Sequence, residues 1–191
     1  MRDKNGSGKG LSDYGIVFLT GGIDSGTSQS VCERIIECNV SGEIDHMQLI
    51  INSHGGEVSA GFAIIDVMEW SRIPIYTTGL GMLASMGLMV FMAGEPGRRV
   101  LTPRTSILSH RFQGIRMGSH GELIAGRKGE DLTHERILDH YLRYSKMRTR
   151  EQAEETLLKE VDIWVSAEEA IEYGLADIVE TPRRRGGHGG R

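Results

Sequence analysis

Cysteine is scarce in this sequence, with two in 191 residues, and that excludes a disulfide-stapled fold. Cys32 and Cys38 stand six apart on an expected helix, do not share a face, and read as buried packing. No Cys/His cluster has the spacing of a metal site. His134 and His140 are also six apart and read as helix-surface residues rather than ligands, so no metal is expected. No apolar run approaches the roughly eighteen residues of a membrane span, so no membrane partner is expected. Residues 1–12 are rich in glycine and lysine and lack the apolar segment of a secretory signal. With no disulfide pattern either, the cytoplasm or an equivalent reducing compartment is the expected location. Positive charge is not in excess: 22 Lys and Arg face 26 Asp and Glu, for a net charge of −4 and a pI near 6.0. Nothing in that balance calls for nucleic acid.

What is present is an ordinary globular composition, 39% hydrophobic and 25% charged, in a chain long enough for one substantial core. Residues 1–13 read as a flexible arm and 14–180 as a single domain. The segment 181–191, with four arginines and four glycines, reads as a basic disordered tail. An apolar β-type run at 15–20 is closed by the turn signal Gly21-Gly22. Val31, Ile35 and Ile36 mark one face of a helix over 25–39, capped by Ser25 or Thr27. A buried strand at 47–52 leads through the loop Ser53-His54-Gly55-Gly56 into a helix over 59–70, and a strand at 73–78 leads into a turn around Ser85. Strands alternating with helices predict an α/β fold of βαβ units with a largely parallel sheet. Short β-type runs follow at 99–101 and 106–109. A possible flap lies at 113–121, a charged helix over 122–147 and another over 150–159. Residues 162–165 are expected to be extended, and Ser166-Ala167-Glu168-Glu169 is a capping box for a helix ending at Gly174. Residues 177–179 are placed to close the sheet.

The stretch Gly81-Met82-Leu83-Ala84-Ser85-Met86-Gly87 has the make-up of a presented nucleophile. Small residues allow a sharp strand-to-helix turn that exposes Oγ and aims free helix N–H groups at the reaction site. Alone it reads better as a small-residue turn packing a buried helix, and the residues below are what promote Ser85. Gly55-Gly56, at the end of a parallel strand, reaches the same sheet edge and can bring backbone N–H groups close to a developing oxyanion. Of the seven histidines, His46 precedes a strand, His54 lies in the glycine loop, and His188 is in the tail. His120, His134 and His140 fall in polar, exposed surroundings. His110 alone ends a buried β-type run after the nucleophile helix. Asp162, between a helix and Ile163-Trp164-Val165, suits a partly buried carboxylate with a fixed partner, or equally a strand residue facing water.

In chain order, five sets of residues resemble the ClpP family, the proteolytic subunits of the Clp protease, over about 14–180. They are Val17-Phe18-Leu19-Thr20-Gly21, Ile51-Asn52-Ser53-His54-Gly55-Gly56 with Ala60-Gly61-Phe62-Ala63-Ile64, Ala84-Ser85-Met86-Gly87, His110, and Asp162 ahead of Ser166-Ala167-Glu168-Glu169-Ala170. Glu172-Tyr173-Gly174-Leu175 extends the last. The resemblance implies a serine endopeptidase without cofactor, with Ser85 as nucleophile, His110 as general base and acid, and Asp162 orienting His110. It also implies an oxyanion hole from the N–H groups of Gly56 and Met86. The implied fold is the ClpP/crotonase spiral of βαβ units with a protruding helical handle, here about 113–159. The implied partners are further copies of the chain, in heptameric rings stacked as a tetradecamer, an AAA+ unfoldase that feeds them, and unfolded protein or peptide substrates.

The chain departs from that family in places. It carries His54 for proline, Met82-Leu83 for Gln-Ala and Arg111-Phe112 for Gln-Pro. Before the aspartate, Glu160 keeps the acid of an acid–arginine pair while Val161 replaces the arginine. The handle is a few residues longer than usual, and the arm at 1–13 does not match the family's gating segment. Other readings remain. A non-catalytic ring or scaffold subunit has no use for an intact Ser85/His110/Asp162 set. A crotonase-type acyl-CoA enzyme has none for a Ser-His pair. A Ser-Lys dyad needs a lysine near Ser85, and none lies between Asp45 and Arg127.

Overall fold

A computed structural model describes residues 10–113 and 117–181. Most of the arm, the centre of the expected flap and nearly all of the tail therefore lie outside the described residues. Strand β1 (Ile16–Ile23), helix α1 (Ser25–Ser41), strand β2 (Met47–Gly56), helix α2 (Val58–Trp70) and strand β3 (Ile75–Ala84) form two successive βαβ units. Both strand pairs are parallel. A short 3-10 turn, Leu11–Tyr14, precedes them. Helix α3 (Met86–Met92), β4 (Arg99–Leu101), β5 (Ser106–Ser109), α4 (His120–Tyr144), α5 (Arg150–Thr156), β6 (Ile163–Val165), α6 (Ala167–Tyr173) and β7 (Ile178–Val179) complete the chain.

Alternation explains the sheet. In β2, Met47, Leu49 and Ile51 are fully buried while their neighbours are not. That face packs with Val31 and Ile35 of α1 and Ile64, Ile65 and Met68 of α2 in one core. Each such side chain contributes roughly 1.5–3 kcal/mol by leaving water. Ile36, expected on the buried face of α1, is 43% exposed. The N-cap of α1 is neither Ser25 nor Thr27. Asp24 takes that place, accepting from the Thr27 N–H at 2.8 Å, and the Thr27 hydroxyl closes the box.

The glycine pairs expected as turns belong to strands. Gly21-Gly22 continues β1, whose register against β2 shifts between those two residues, and Gly22 and Ile23 then pair with Gly55 and Gly56. A bulge absorbs one residue without ending the ladder. Likewise β3 runs past residue 78 to Ala84, through an irregularity that the Asn52 side chain bridges by accepting from the Met82 N–H at 3.1 Å.

Strand β3 is long enough to hold two neighbours on the same side. Thr77–Gly79 pair with β4, and Met82–Ala84 pair with β5. Beyond β5 comes the one antiparallel pair in the described sheet, β5 with β6. Beyond β4 lies β7, where Asp177 accepts from Arg99 Nε at 3.0 Å and Nη2 at 2.7 Å. Helix α4 begins at His120, earlier than the sequence predicts, because Ser119 and Glu122 form a capping box that outweighs the glycines of its first turns. His140, expected on its surface, is buried: Nε2 lies 2.9 Å from the Met89 carbonyl oxygen, tying α4 to α3.

Candidate active site

The turn between β3 and α3 is strained at one residue. Ser85 has φ 54° and ψ −125°, and among the described residues no other non-glycine has positive φ. Such a conformation costs about 1–3 kcal/mol and persists where the surroundings impose it. Two hydrogen bonds do so here. The Ser85 N–H donates to the Leu108 carbonyl at 3.0 Å, and the Met89 N–H donates to the Ser85 carbonyl at 3.1 Å. Every residue of α3 is buried, so the helix cannot shift to relax the turn. Ser85 occupies the N-cap position, yet its side chain makes no capping bond, which leaves Oγ available for chemistry.

The end of β2 approaches this turn as only glycine permits. A Cβ on Gly55 would lie 2.8 Å from both the Ala84 carbonyl oxygen and Ser85 Cβ, and one on Gly56 would lie 2.1 Å from the Ile23 carbonyl oxygen. Gly56 and Met86 thereby line one cleft with Ser85. Met86 is the first residue of α3, so its N–H has no acceptor within the helix and faces the N-terminal, electropositive end.

His110 enters through β5. Leu108 pairs with Ala84 and holds the Ser85 N–H, so two residues later the chain leaves the sheet beside the nucleophile. Its anchorage is buried. Ser109 Oγ donates to the Leu157 carbonyl at 2.6 Å and lies 2.7 Å from the Tyr141 hydroxyl. Burial pushes the Tyr141 phenol up to about 12, although the bond with Ser109 works in the other direction. The phenol therefore stays protonated at neutral pH.

Ser85, His110, Gly56 and Met86 share a cleft of about 540 Å³. Its apolar wall includes Ile23, Val58, Met89, Phe112 and Ile137, with Asp24, Glu57 and Arg111 supplying charge. Asp162 is not among these residues. It is exposed, and no hydrogen bond joins it to His110, whose Nδ1 is buried without a partner. Ser109 pairs with Ile163 at the end of the β5–β6 ladder, and His110 and Asp162 are the next residues of their chains beyond it.

Two residues of this region escape sequence reasoning as site components: Ser109 and Tyr141. They meet only through folding, 32 positions apart in the chain. The signal for Ser109 is faint: a hydroxyl on the buried parity of a short apolar strand. Among known proteins, the family model described as Clp protease matches residues 5–183 of the chain.

Proposed function

The chain belongs to the Clp protease family, and from that premise we propose that it is a serine endopeptidase cleaving unfolded proteins and peptides at Ser85. The observation that carries this reading is the strained, uncapped Ser85 sharing one cleft with His110, Gly56 and Met86. In the reaction, His110 Nε2 takes the Ser85 hydroxyl proton as Oγ attacks the substrate carbonyl carbon. The N–H groups of Gly56 and Met86 stabilise the oxyanion. The tetrahedral adduct collapses, the C–N bond breaks, and His110 returns the proton to the leaving amine. Water, deprotonated by His110, then hydrolyses the ester and frees Ser85. Asp162 rotates to accept from His110 Nδ1–H and so fixes the tautomer that this proton traffic requires.

Family membership in general implies ring assembly and unfoldase partners. Here the proposal is heptameric rings stacked in pairs, fed by an AAA+ unfoldase in the cytoplasm. No helix among the described residues is long and apolar enough to cross a membrane.

The separation of Asp162 from His110 favours one other reading, a non-catalytic ring or scaffold subunit. Hydrolysis of a fluorogenic peptide and of an unfolded protein, measured on size-fractionated wild type and Ser85→Ala, separates the two. The peptidase reading expects activity in the ring-sized wild-type fraction and at least a thousandfold loss (~10³ or more) in Ser85→Ala at the same elution volume. A ring-sized wild type without activity supports the scaffold.

A further inference from the structure

We propose that Arg111 is a positioning residue, a strut that holds the Asp162-bearing segment near His110; this rests on the peptidase reading above. Arg111 directly follows His110, and its guanidinium spans the gap between the end of β5 and the chain leaving α5. Nε donates to the Leu158 carbonyl at 2.6 Å, Nη1 to Glu160 Oε1 at 2.6 Å, and Nη2 reaches Glu154 Oε1 at 3.5 Å. Glu154 Oε1 in turn lies 3.1 Å from His134 Nε2, so the same carboxylate connects α4 to the strut.

Leu158 is anchored in the core, but the residues between it and β6 are otherwise weakly held. Residues 159–162 belong to no helix or strand, and both Val161 and Asp162 are exposed. Among the described residues no other side chain bonds to 158–162. An arginine can meet this need where lysine cannot fully, because a planar fork reaches several acceptors at fixed angles. The ion pair with Glu160 is worth little in itself, since that carboxylate is 83% exposed. The bond to the Leu158 carbonyl is charge-assisted, half-buried and independent of any side-chain partner.

The consequence is geometric. The ladder between β5 and β6 ends at Ser109 and Ile163. Beyond it, the course of the 158–162 segment decides how near Asp162 comes to His110, whose Nδ1 is buried and unpartnered. Arg111 thus acts on the reaction through Asp162. Its guanidinium, though on the cleft wall, is already committed to protein oxygens.

The test compares wild type, Arg111→Ala and Arg111→Lys in two measurements on the assembled protein. Peptide hydrolysis should show kcat reduced about ten- to a hundredfold in Arg111→Ala with KM within twofold, and partial recovery in Arg111→Lys. Amide hydrogen exchange should show residues 158–163 exchanging at least tenfold faster in Arg111→Ala, with the core strands unchanged. Exchange reads the strut without chemistry, so an inactive wild type overturns the peptidase reading while leaving this result to be judged. Unchanged exchange at 158–163, an unchanged kcat in an active protein, or a loss confined to KM overturns the strut.

Discussion

Ser85 is where local and global preferences disagree. A serine avoids φ 54° unless forced, and the force comes from the Leu108 carbonyl behind it and a buried helix ahead. Gly55 serves the same end by close approach. Gly55→Ala therefore drives a methyl into the Ala84 carbonyl and Ser85 Cβ. It should cut peptide hydrolysis about a hundredfold or more by displacing the turn. Gly21→Ala is the matched control: Gly21 also has positive φ, 77°, but its Cβ would meet nothing within 4 Å. That change should cost only backbone strain, about 1–2 kcal/mol of stability, with activity retained. Equal losses in the two variants would mean that conformation, not contact, is what Gly55 supplies. A short run of small side chains alone reads as a packing turn, so Ser85 was legible only in the company of the Gly55-Gly56 loop, His110 and Asp162. Arg111 was legible only as a difference from the family, since nothing in its neighbours foretells three acceptors some 45 positions away.

Among the elements, the parallel sheet and its helices follow from hydrophobic period, and their order was read correctly from the alternation of strand and helix patterns. Element ends were not, and the reason is pairing. Gly21-Gly22 and Gly55-Gly56 stay in strands because the β1–β2 ladder runs through them, Gly21 with Ser53, Gly22 with Gly55 and Ile23 with Gly56, which no local pattern reveals. The same holds for His140. Polar neighbours suggested a surface, but α4 lies on α3 and the imidazole bonds the Met89 carbonyl. Burial lowers its pKa to about 4, with the bond to Met89 opposing and the Arg143 charge adding to the fall. The native state therefore keeps His140 neutral while the unfolded chain takes up a proton below about 6.5. The stability this contributes is fully present above that pH and declines as pH falls from 6.5 towards 4, by roughly 3 kcal/mol at most. Thermal melts at fixed protein concentration should fall between pH 7 and pH 5 for wild type and fall less for His140→Gln, which keeps a donor without the titration. Parallel curves for the two proteins would place the acid sensitivity elsewhere.

At the scale of the whole molecule, the described chain ends in apolar surface that a lone subunit has little reason to expose. Trp70 is 79% and Val40 81% exposed at the far ends of α2 and α1, and Ile124 is 61% exposed on α4. Surface of this kind fits a subunit that packs against copies of itself, as membership in the Clp protease family implies in general. Of the departures from the family, Arg111 and Phe112 line the cleft, and Arg111 bonds Glu160, the neighbour of a further departure, Val161. Val161 is 65% exposed, and Glu160 takes its cation from Arg111 of the same chain rather than from the next residue. Val161 removes the arginine that follows the acid in the family, and Arg111 gives Glu160 a partner within the chain.

The central claim is that Ser85 is a nucleophile activated by His110. A fluorophosphonate probe tests it most directly, because it reacts only with a serine whose proton is being drawn away and whose oxyanion is stabilised. Intact mass followed by peptide mapping of the size-fractionated protein should give one adduct per chain, on Ser85, forming at least a hundredfold more slowly (about 10² or more) in His110→Ala. An assembled wild type that forms no adduct, or one labelled at a different serine, contradicts the account.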